Sequence, residues 1–493
     1  MIGICSYGGY LPRYRLNRMQ VFKTMGWLNP AVIAYARGEK AVANHDEDSI
    51  TMAVTAAMDA LTGVEGGSAD GLYFASTTMP YAETQNAGLV KTAMGLPHAM
   101  RTVDVTGTPK AGVTAIMTAL DAVMCGSHNK AVVVSADTRL GKPASAQEMI
   151  FGDGAAALVM GKDGVIAEYL GAYSRTSHFP DHWRTREDRW DHQWEDRFIR
   201  DEGYGVFIPE AFKGLLQKCG LAASDIHKVI YPCLYPADFM KIAKTCGLTP
   251  NQIEAPLMES AGYLGAADAP AHLVKALETA SPGDNIVVIG YGSGAEALLF
   301  RVTENITAQK GLHMGMIGSL ERKKPLPSYE KMLVWTGQLP VEKGIRGEAM
   351  AFTALSDLWR NSDTILALKG VRCKACKTPQ YPAQRVCAMP GCGAVDEMEP
   401  YAFADKTGRL FTYTADSLAF SLNPPAIYGM VDFDGGGRFW FDITDADADE
   451  LTVDMPVGMQ FRKKYTDTTF GINGYFWKAV PIGSYTENET KEA

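Results

Sequence analysis

The spacing of apolar and polar positions changes regularly along roughly the first 300 residues. Short runs rich in β-branched and aromatic residues, each bounded by turn-forming residues, predict β-strands over residues 70–77, 129–137, 227–234 and 284–292. Apolar residues three and four positions apart predict helices over 49–63 and 269–284. Strands that alternate with helices in this way predict a layered α/β domain.

One strand pattern occurs twice. Residues 130–137 with 151–161 (KAVVVSAD, FGDGAAALVMG) resemble residues 285–300 (NIVVIGYGSGAEALLF). This similarity predicts a duplicated unit whose second copy is shorter.

A segment rich in His, Trp, Arg and Asp lies between the two copies, over residues 174–205, and is called the lid segment here. Loops of this length are typically either irregular surface or functional. Two interpretations therefore stay open: a charged, solvated excursion, or a lid over a site.

Four cysteines in a second region have the spacing of a metal site. After a helix expected over residues 349–362, the pattern C-x2-C-x10-C-x4-C places two close pairs a short hairpin apart, formed by Cys373, Cys376, Cys387 and Cys392. Two such pairs suit tetrahedral zinc, and four thiolates leave no open position for substrate. We expect a structural Zn²⁺.

Alternating apolar residues and glycines follow, in runs over residues 408–416, 426–445, 455–465 and 474–481. Short strands broken by turns predict a small β-barrel of OB type. The acidic stretch 442–454 and the formal net charge of −9 argue against nucleic acid and anionic membranes as partners. Without a signal-like N-terminus or a long apolar run, and with single cysteines in apolar segments, we expect a cytoplasmic protein.

Several motifs resemble those of one known family and occur in the same order along the chain. They are GICSYGGYLPRYRL (3–16), KAVANHDEDSITMAVTAAMDAL (40–61), PYA (80–82), FPDHWR (179–184) and SPGDNIVVIGYGSGAEALLF (281–300). Together they resemble the archaeal-type hydroxymethylglutaryl-CoA synthases of the thiolase superfamily. The C-terminal part resembles the zinc-ribbon and OB-fold proteins that accompany thiolase-like enzymes, here fused.

The resemblance implies a duplicated five-layered (α-β-α-β-α) thiolase fold over residues 1–345, with halves of about 1–165 and 166–345. A helix and zinc ribbon would follow over 346–400 and an OB-fold over 401–493. It also implies a homodimer and a tunnel for an acyl-CoA substrate, with Lys110 and the turn Gly292, Ser293 and Gly294 as coenzyme A contacts.

Other residues stand in this chain at the positions of the family's catalytic residues. The resemblance places Pro109 where the family has its cysteine, Thr77 at the acid, Pro232 at the histidine and Ala261 at the asparagine. The residues themselves predict a helix start here instead, with Thr108 as cap and Pro109 at the first helical position.

Without a nucleophilic thiol, the chemistry that remains is deprotonation or release of an acyl-CoA enolate. We therefore expect a (retro-)aldol lyase that cleaves a β-hydroxyacyl-CoA into an acyl-CoA and an aldehyde or ketone. Thiolase-like steroid side-chain aldolases, which lack the usual cysteines, are an analogy. Two alternatives stay open: a synthase-like Claisen or acyltransferase enzyme with an unusual nucleophile, and a non-catalytic CoA-binding scaffold.

Six residues are candidates for the chemistry. Base and acid candidates come from the lid segment and from two loops of the expected tunnel, and one cysteine adjoins the substituted histidine position: His178, Asp181, His182, Cys233, Tyr263 and Tyr291. Asp181 matches the family motif, and histidine titrates near neutrality. A tyrosine would need a lowered pKa to act as a base, and Cys233 has no basic sequence neighbour to activate it.

Overall fold

The computed structural model describes residues 1–64, 69–345 and 352–482. The start of the helix expected over 349–362 and the end of the expected OB-fold lie outside these ranges. The described part divides into two compact units. Unit 1 comprises residues 1–43, 48–91 and 96–332, and unit 2 comprises residues 44–47, 92–95 and 333–493.

The strands are numbered in chain order. They are β1 (Gly3–Tyr10), β2 (Tyr14–Asn17), β3 (Glu39–Val42), β4 (Gly71–Ala75), β5 (Arg101–Val105), β6 (Lys130–Asp137), β7 (Gly154–Gly161), β8 (Ala167–Thr176), β9 (His182–Trp183), β10 (His192–Gln193), β11 (Lys228–Ile230), β12 (Asn285–Tyr291), β13 (Gly294–Val302), β14 (Lys324–Pro325), β15 (Lys369–Cys373), β16 (Pro379–Gln380), β17 (Met398–Ala402), β18 (Gly408–Asp416), β19 (Ala426–Phe433), β20 (Arg438–Asp442), β21 (Pro456–Asp467) and β22 (Ile472–Pro481).

The α-helices are α1 (Arg18–Met25), α2 (Ser49–Leu61), α3 (Asn86–Ala93), α4 (Ala111–Met124), α5 (Ala146–Ile150), α6 (Asp196–Phe198), α7 (Gly205–Cys219), α8 (Pro236–Thr245), α9 (Asp268–Thr279), α10 (Gly315–Glu321), α11 (Tyr329–Trp335), α12 (Leu355–Arg360) and α13 (Ser362–Ile365). A π-helical turn, Ile199–Tyr204, joins α6 to α7. No helix in the described ranges has the length and apolar character needed to cross a membrane.

Unit 1 contains a nine-stranded sheet in the order β11-β12-β13-β8-β1-β7-β6-β4-β5. The two copies of the sequence repeat have the same pattern of strand pairing. β4 is parallel to β6, β6 antiparallel to β7 and β7 antiparallel to β1. In the same way, β11 is parallel to β12, β12 antiparallel to β13 and β13 antiparallel to β8. In place of a counterpart to β5, the second copy has one parallel bridge between Val229 and Ile253 in the described residues.

Helices cover both faces of the two strand sets. α2 packs on β1, β6 and β7, whereas α7 packs on β8, β12 and β13. α4 and α9 contact both sets and each other. Unit 1 is therefore built of five layers, helix, sheet, helix pair, sheet and helix, with the apolar core centred on α4 and α9.

Close packing of α4 depends on its small residues. A Cβ atom on Gly112 would lie 2.2 Å from the Ala266 carbonyl oxygen and 2.7 Å from Pro270 Cγ. α4 begins at Ala111 with Lys110 as its N-cap, so the expected start at Thr108 and Pro109 was wrong. The Thr108 carbonyl accepts a 3.0 Å bond from the Ala111 N–H, because residues 108–111 form a turn before the helix.

Unit 2 contains two sheets. The first has the order β16-β15-β17, and the second has five strands in the order β20-β19-β18-β21-β22. A bridge between Ile443 and Ala479 connects the segment after β20 to β22. Five strands whose ends meet in this way form the small barrel that the alternating pattern predicts.

Candidate active site and zinc site

A cavity that is partly open to solvent lies within unit 1, where the lid segment meets the ends of several core elements, and its empty space, solvent included, is about 420 Å³. The residues that line it come from distant parts of the chain: Pro109, Arg139, Gln147, Phe151, Asp181, His182, Asp191, His192, Gln193, Ile199, Tyr204, Leu234, Tyr235, Tyr263 and Tyr291. Four of the six catalytic candidates are among them. His178 and Cys233 are not.

The lid segment forms a defined wall of this cavity. β9 and β10 pair as a short antiparallel hairpin, with Trp183 opposite His192 and His182 opposite Gln193. The ring of Trp183 stacks on that of His192, with centroids 5.7 Å apart. Because seven cavity residues come from this segment, the structure agrees with the lid interpretation.

Buried charges attach the hairpin to the rest of unit 1. Asp191, whose side chain is 4% exposed, forms an ion pair with Arg139 and approaches Arg184 at 3.5 Å. Arg184 also donates a hydrogen bond to the Thr77 carbonyl. Thr77 is fixed in turn by Asp137, which accepts hydrogen bonds from its N–H and its hydroxyl at 2.7 and 2.8 Å.

Asp181 and His182 form a dyad at the cavity wall. Asp181 Oδ1 lies 2.9 Å from His182 Nδ1 and accepts a 2.8 Å bond from the His182 N–H. Burial raises the pKa of Asp181, but the hydrogen bonds and charge of His182 outweigh burial and leave that pKa below its ordinary value. The ionised carboxylate holds the ring through Nδ1, so that Nε2 is the nitrogen available for proton transfer.

Tyr263 and Tyr291 are buried in the same wall. Burial is the main cause that raises the pKa of both phenols, and the charge of Asp181 adds to the effect on Tyr291. The Tyr291 hydroxyl is buried, and a hydrogen-bonding interaction with Asp181 also contributes to its raised pKa. Both phenols therefore stay protonated at neutral pH and can donate hydrogen bonds.

Cys233 does not line the cavity, although its neighbours Leu234 and Tyr235 do. Its thiol donates a 3.3 Å hydrogen bond to the Tyr235 carbonyl, and burial raises its pKa to about 12. A thiol that stays protonated at neutral pH is a poor nucleophile. His178 lies between β8 and the hairpin, exposed to solvent and outside the lining.

The expected coenzyme A contacts lie together at the start of α4. Gly292, with φ +145°, approaches so closely that a Cβ atom there would lie 2.3 Å from Thr108 Oγ1 and 3.4 Å from the Lys110 nitrogen. The turn of Gly292, Ser293 and Gly294 joins β12 to β13, and its middle residue also has positive φ. Lys110 and this turn are thus brought into one place, next to the cavity residue Pro109.

Several cavity residues were missed at the sequence level, above all Arg139, Asp191, Tyr204 and Tyr235. Arg139 follows the end of β6 by two residues, and Asp191 lies inside the lid segment. Their position after a predicted strand and in a charged segment was a usable signal. Tyr204 and Tyr235 lie in helical and turn segments whose sequence alone does not distinguish them from core residues.

The four cysteines of unit 2 converge as their spacing predicts. Their sulfur atoms all lie within 4.8 Å of one another, with 3.8 Å between Cys373 and Cys392 and 3.5 Å between Cys376 and Cys387. Four zinc–sulfur bonds of about 2.3 Å in a tetrahedron bring sulfur atoms about this far apart. The donor set therefore fits a closed, structural zinc site.

The five layers of unit 1 define a class of fold, the thiolase-like α/β fold. Solved structures share this fold. HMG-CoA synthase complexed with CoA matches with TM-score 0.60 at 17% identity, covering 72% of this chain and 94% of that chain. MvaS in complex with 3-hydroxy-3-methylglutaryl coenzyme A matches with TM-score 0.61 at 20% identity, covering 72% and 94%.

Sequence relatives define the family within that class. The hydroxymethylglutaryl-CoA synthase of Methanopyrus kandleri is 32% identical over 314 residues, covering 62% of this chain and 89% of the relative. That of Methanocaldococcus jannaschii is 31% identical over 335 residues, covering 66% and 95%. The chain belongs to the hydroxymethylglutaryl-CoA synthase family.

Two family models match unit 2. Residues 366–399 match the "ChsH2, rubredoxin-like zinc ribbon domain" and residues 401–462 match the "ChsH2, C-terminal OB-fold domain". With the cysteine cluster, they confirm the zinc ribbon, the structural zinc and the OB-fold.

The expected fold and the synthase-like character of the enzyme are confirmed. The relatives' names fit the expected alternative, a synthase-like enzyme, better than the leading expectation of an aldol lyase.

Proposed function

We propose that the protein makes or breaks a carbon–carbon bond next to an acyl-CoA carbonyl, by an aldol-type reaction that forms no acyl-enzyme. The observation that carries this proposal is the composition of the cavity wall. Among the described residues it contains an Asp–His dyad and neutral tyrosine hydroxyls, and it contains no cysteine. The solved structures named as complexes with CoA and its hydroxymethylglutaryl thioester support a CoA thioester as substrate.

In the cleavage direction, His182 Nε2 takes the proton of the substrate's β-hydroxyl group. The bond between the α- and β-carbons then breaks, and its electron pair passes to the thioester as an enolate. An aldehyde or ketone leaves, and the proton returns from His182 to the α-carbon. Asp181 holds the imidazole by its 2.9 Å contact with Nδ1 and stabilises the imidazolium formed in between.

The enolate oxygen needs a donor that does not itself lose a proton. Tyr291 meets this need, because its buried phenol lines the cavity and its raised pKa keeps the hydroxyl protonated. Removing one such donor costs on the order of 10²- to 10³-fold in rate in other enzymes. Tyr263, also a neutral phenol in the wall, is a second donor.

The test uses the purified full chain in the synthetic direction. Acetyl-CoA or propionyl-CoA with a panel of aldehydes and ketones is expected to give a β-hydroxyacyl-CoA, detected by mass. Exchange of the acyl-CoA α-hydrogens for deuterium in D2O reports the enolate step without any carbonyl partner. His182→Gln is expected to lose both activities, whereas His178→Gln, a change in the same segment outside the cavity, retains them. A chain that catalyses neither reaction would contradict the proposal.

The second candidate is a synthase-like acyl transfer, favoured by the names of the relatives. It requires a covalent acyl-enzyme, and Cys233 is the nearest thiol in sequence to the cavity residue Leu234. It predicts a protein mass raised by one acyl group after exposure to an acyl-CoA, absent in Cys233→Ser. Deuterium exchange without an acyl adduct on the protein would favour the aldol-type reaction over acyl transfer. If neither exchange nor an adduct is observed, a CoA-binding scaffold is the remaining function.

A further inference from the structure

Aromatic rings dominate the apolar part of the cavity wall. Of its fifteen lining residues, five have benzene or phenol rings: Phe151, Tyr204, Tyr235, Tyr263 and Tyr291. All five side chains are buried. The aliphatic lining residues are only Ile199 and Leu234, apart from Pro109. A wall of this composition offers ring faces and edges to an occupant.

These rings are held rigidly in two groups. Tyr204 stacks on Tyr291 with centroids 4.0 Å apart and planes inclined by 19°, and the ring of Tyr235 is inclined by 80° to that of Tyr204 at 5.9 Å. The Tyr235 hydroxyl is fixed between Gln193 and Asp196 by two 3.0 Å hydrogen bonds. These side chains therefore lose little conformational freedom when a ligand binds.

The second group consists of Phe151 and Tyr263, with centroids 6.2 Å apart. The Arg139 guanidinium lies 4.6 Å from the Phe151 centroid and 5.9 Å from that of Tyr263. A cation over one ring face polarises it and fixes the side chain beneath it. Both ring groups therefore keep their positions in the absence of substrate.

The charges around the cavity disfavour an anionic occupant. The positive charge of Arg139 is balanced by its ion pair with Asp191, and the carboxylate of Asp181 adds a further negative charge. A substrate carboxylate would meet two carboxylates in the lining against one arginine. An aliphatic chain would find few aliphatic partners. A planar ring finds aromatic neighbours among the lining residues, and such pairs contribute beyond the area that they bury.

We propose that the carbonyl partner in the reaction bears an aromatic ring on its carbonyl carbon, so that the products of cleavage are an acyl-CoA and an aryl aldehyde or aryl ketone. This inference rests on the proposed aldol-type function. The ring would occupy the space between Tyr204, Tyr235 and Tyr263, with the β-oxygen toward His182.

The test compares benzaldehyde with cyclohexanecarbaldehyde, two aldehydes with six-membered rings that differ in planarity and π electrons. Each is combined with acetyl-CoA or propionyl-CoA, and kcat/KM for the β-hydroxyacyl-CoA is measured in the wild type, Tyr204→Leu and Tyr204→Phe. The ratio of kcat/KM for benzaldehyde to that for cyclohexanecarbaldehyde is compared between the wild type and each variant. The intrinsic reactivities of the two aldehydes are the same in every comparison and therefore cancel. We expect Tyr204→Leu to lower the benzaldehyde preference about tenfold and Tyr204→Phe to retain it.

Tyr235→Leu with Tyr235→Phe repeats the comparison in case Tyr204→Leu does not fold. Saturation-transfer NMR with benzyl alcohol and cyclohexylmethanol measures the same preference as binding, independently of turnover.

The outcomes separate the two proposals. Turnover of both aldehydes with a ratio unchanged in the leucine variants overturns the aromatic assignment and leaves the aldol-type function standing. Absence of turnover with every aldehyde and ketone, together with absence of deuterium exchange, overturns the proposed function itself. Equal binding of benzyl alcohol and cyclohexylmethanol in the NMR experiment overturns the aromatic assignment even if no aldehyde is turned over. A benzaldehyde preference that the leucine variants lose and the phenylalanine variants keep supports it.

Discussion

Asp181 and His182 are adjacent in the chain, and this adjacency makes the dyad a local structure. One carboxylate oxygen contacts both the backbone nitrogen and the Nδ1 atom of the next residue, so a single turn orients the imidazole. The sequence identified both residues as candidates, one from a motif and one from its residue type. It did not indicate that they act as a pair, because that depends on a side-chain rotamer.

At the residue scale, we predict that Asp181→Asn lowers kcat about 10²- to 10⁴-fold with a small effect on KM, since a misoriented histidine loses most of its value as a base. Steady-state kinetics of aldol formation or of deuterium exchange provide the measurement. Asp188→Asn, which changes an aspartate of the same segment outside the cavity lining, serves as the control. A double variant with His182→Gln is expected to be no slower than His182→Gln alone, and additive losses would contradict a shared role.

A second residue-scale prediction concerns Asp153, which follows the cavity residue Phe151 by two positions. Burial raises its pKa from 3.8 to about 7, although the Ala43 N–H donates a 2.7 Å bond to its carboxyl group. The folded chain therefore keeps this proton to higher pH than the unfolded chain, and stability is lost as pH rises through about 7. Between pH 5 and 8 the expected loss of unfolding free energy is about 2–3 kcal/mol.

Urea denaturation at several pH values measures this effect against Asp153→Asn, which has no proton to lose. Other titrating groups such as Glu278, whose pKa burial raises to about 7, are common to both chains and cancel in the difference. Equal pH dependence in the two chains would show that Asp153 is ionised in the folded state.

At the scale of elements, strands and helices with strong patterns were predicted well. The patterns over 70–77, 129–137 and 284–292 correspond to β4, β6 and β12, and that over 49–63 to α2. The lid hairpin was not predicted, since strands of two residues have no alternation to detect. The start of α4 was misplaced because a turn precedes it, and a turn and a first helical turn share their preferred residues.

The contact between the β12–β13 turn and the start of α4 supplies the element-scale prediction. Gly292→Ala introduces a Cβ atom 2.3 Å from Thr108 Oγ1 and 3.0 Å from Pro109 Cδ, at a backbone angle unfavourable to side chains. Gly283→Ala is the matched control, because Gly283 also has positive φ, at +92°, and has no atom within 4 Å of its Cβ position.

We expect Gly283→Ala to lower the unfolding free energy by about 1 kcal/mol and Gly292→Ala by about 2–4 kcal/mol, the difference being the cost of overpacking. Urea denaturation of the two variants measures both losses. Equal losses would mean that the turn moves aside at little cost.

At the scale of the whole molecule, zinc is expected to stabilise unit 2 and not unit 1. Calorimetry with a strong chelator should lower the transition of residues 333–493 and leave that of unit 1 in place, because all four sulfur donors belong to unit 2. Cys376→Ser should reduce bound zinc from one per chain to near zero. Cys125→Ser, which alters another exposed cysteine, should retain the metal. Full zinc content in Cys376→Ser would contradict the four-sulfur site.

The homodimer and the cytoplasmic location remain predictions at this scale. Light scattering of the full chain and fractionation of cells that express it are the direct measurements.

The sequence by itself determined what short-range patterns encode. The zinc ligands follow from cysteine spacing, because two knuckles and one hairpin are local structures. The layered fold follows from the alternation of strand and helix patterns, and the absence of a thiol at residue 109 is visible without coordinates.

Only the tertiary structure decided which side chains share the cavity. Arg139, Asp191, Tyr204 and Tyr235 meet the dyad although they lie in separate segments. Burial then keeps Tyr291 and Cys233 protonated, which makes one a donor and disfavours the other as a nucleophile. Desolvation depends on every neighbouring element at once, and for that reason no local pattern contains it.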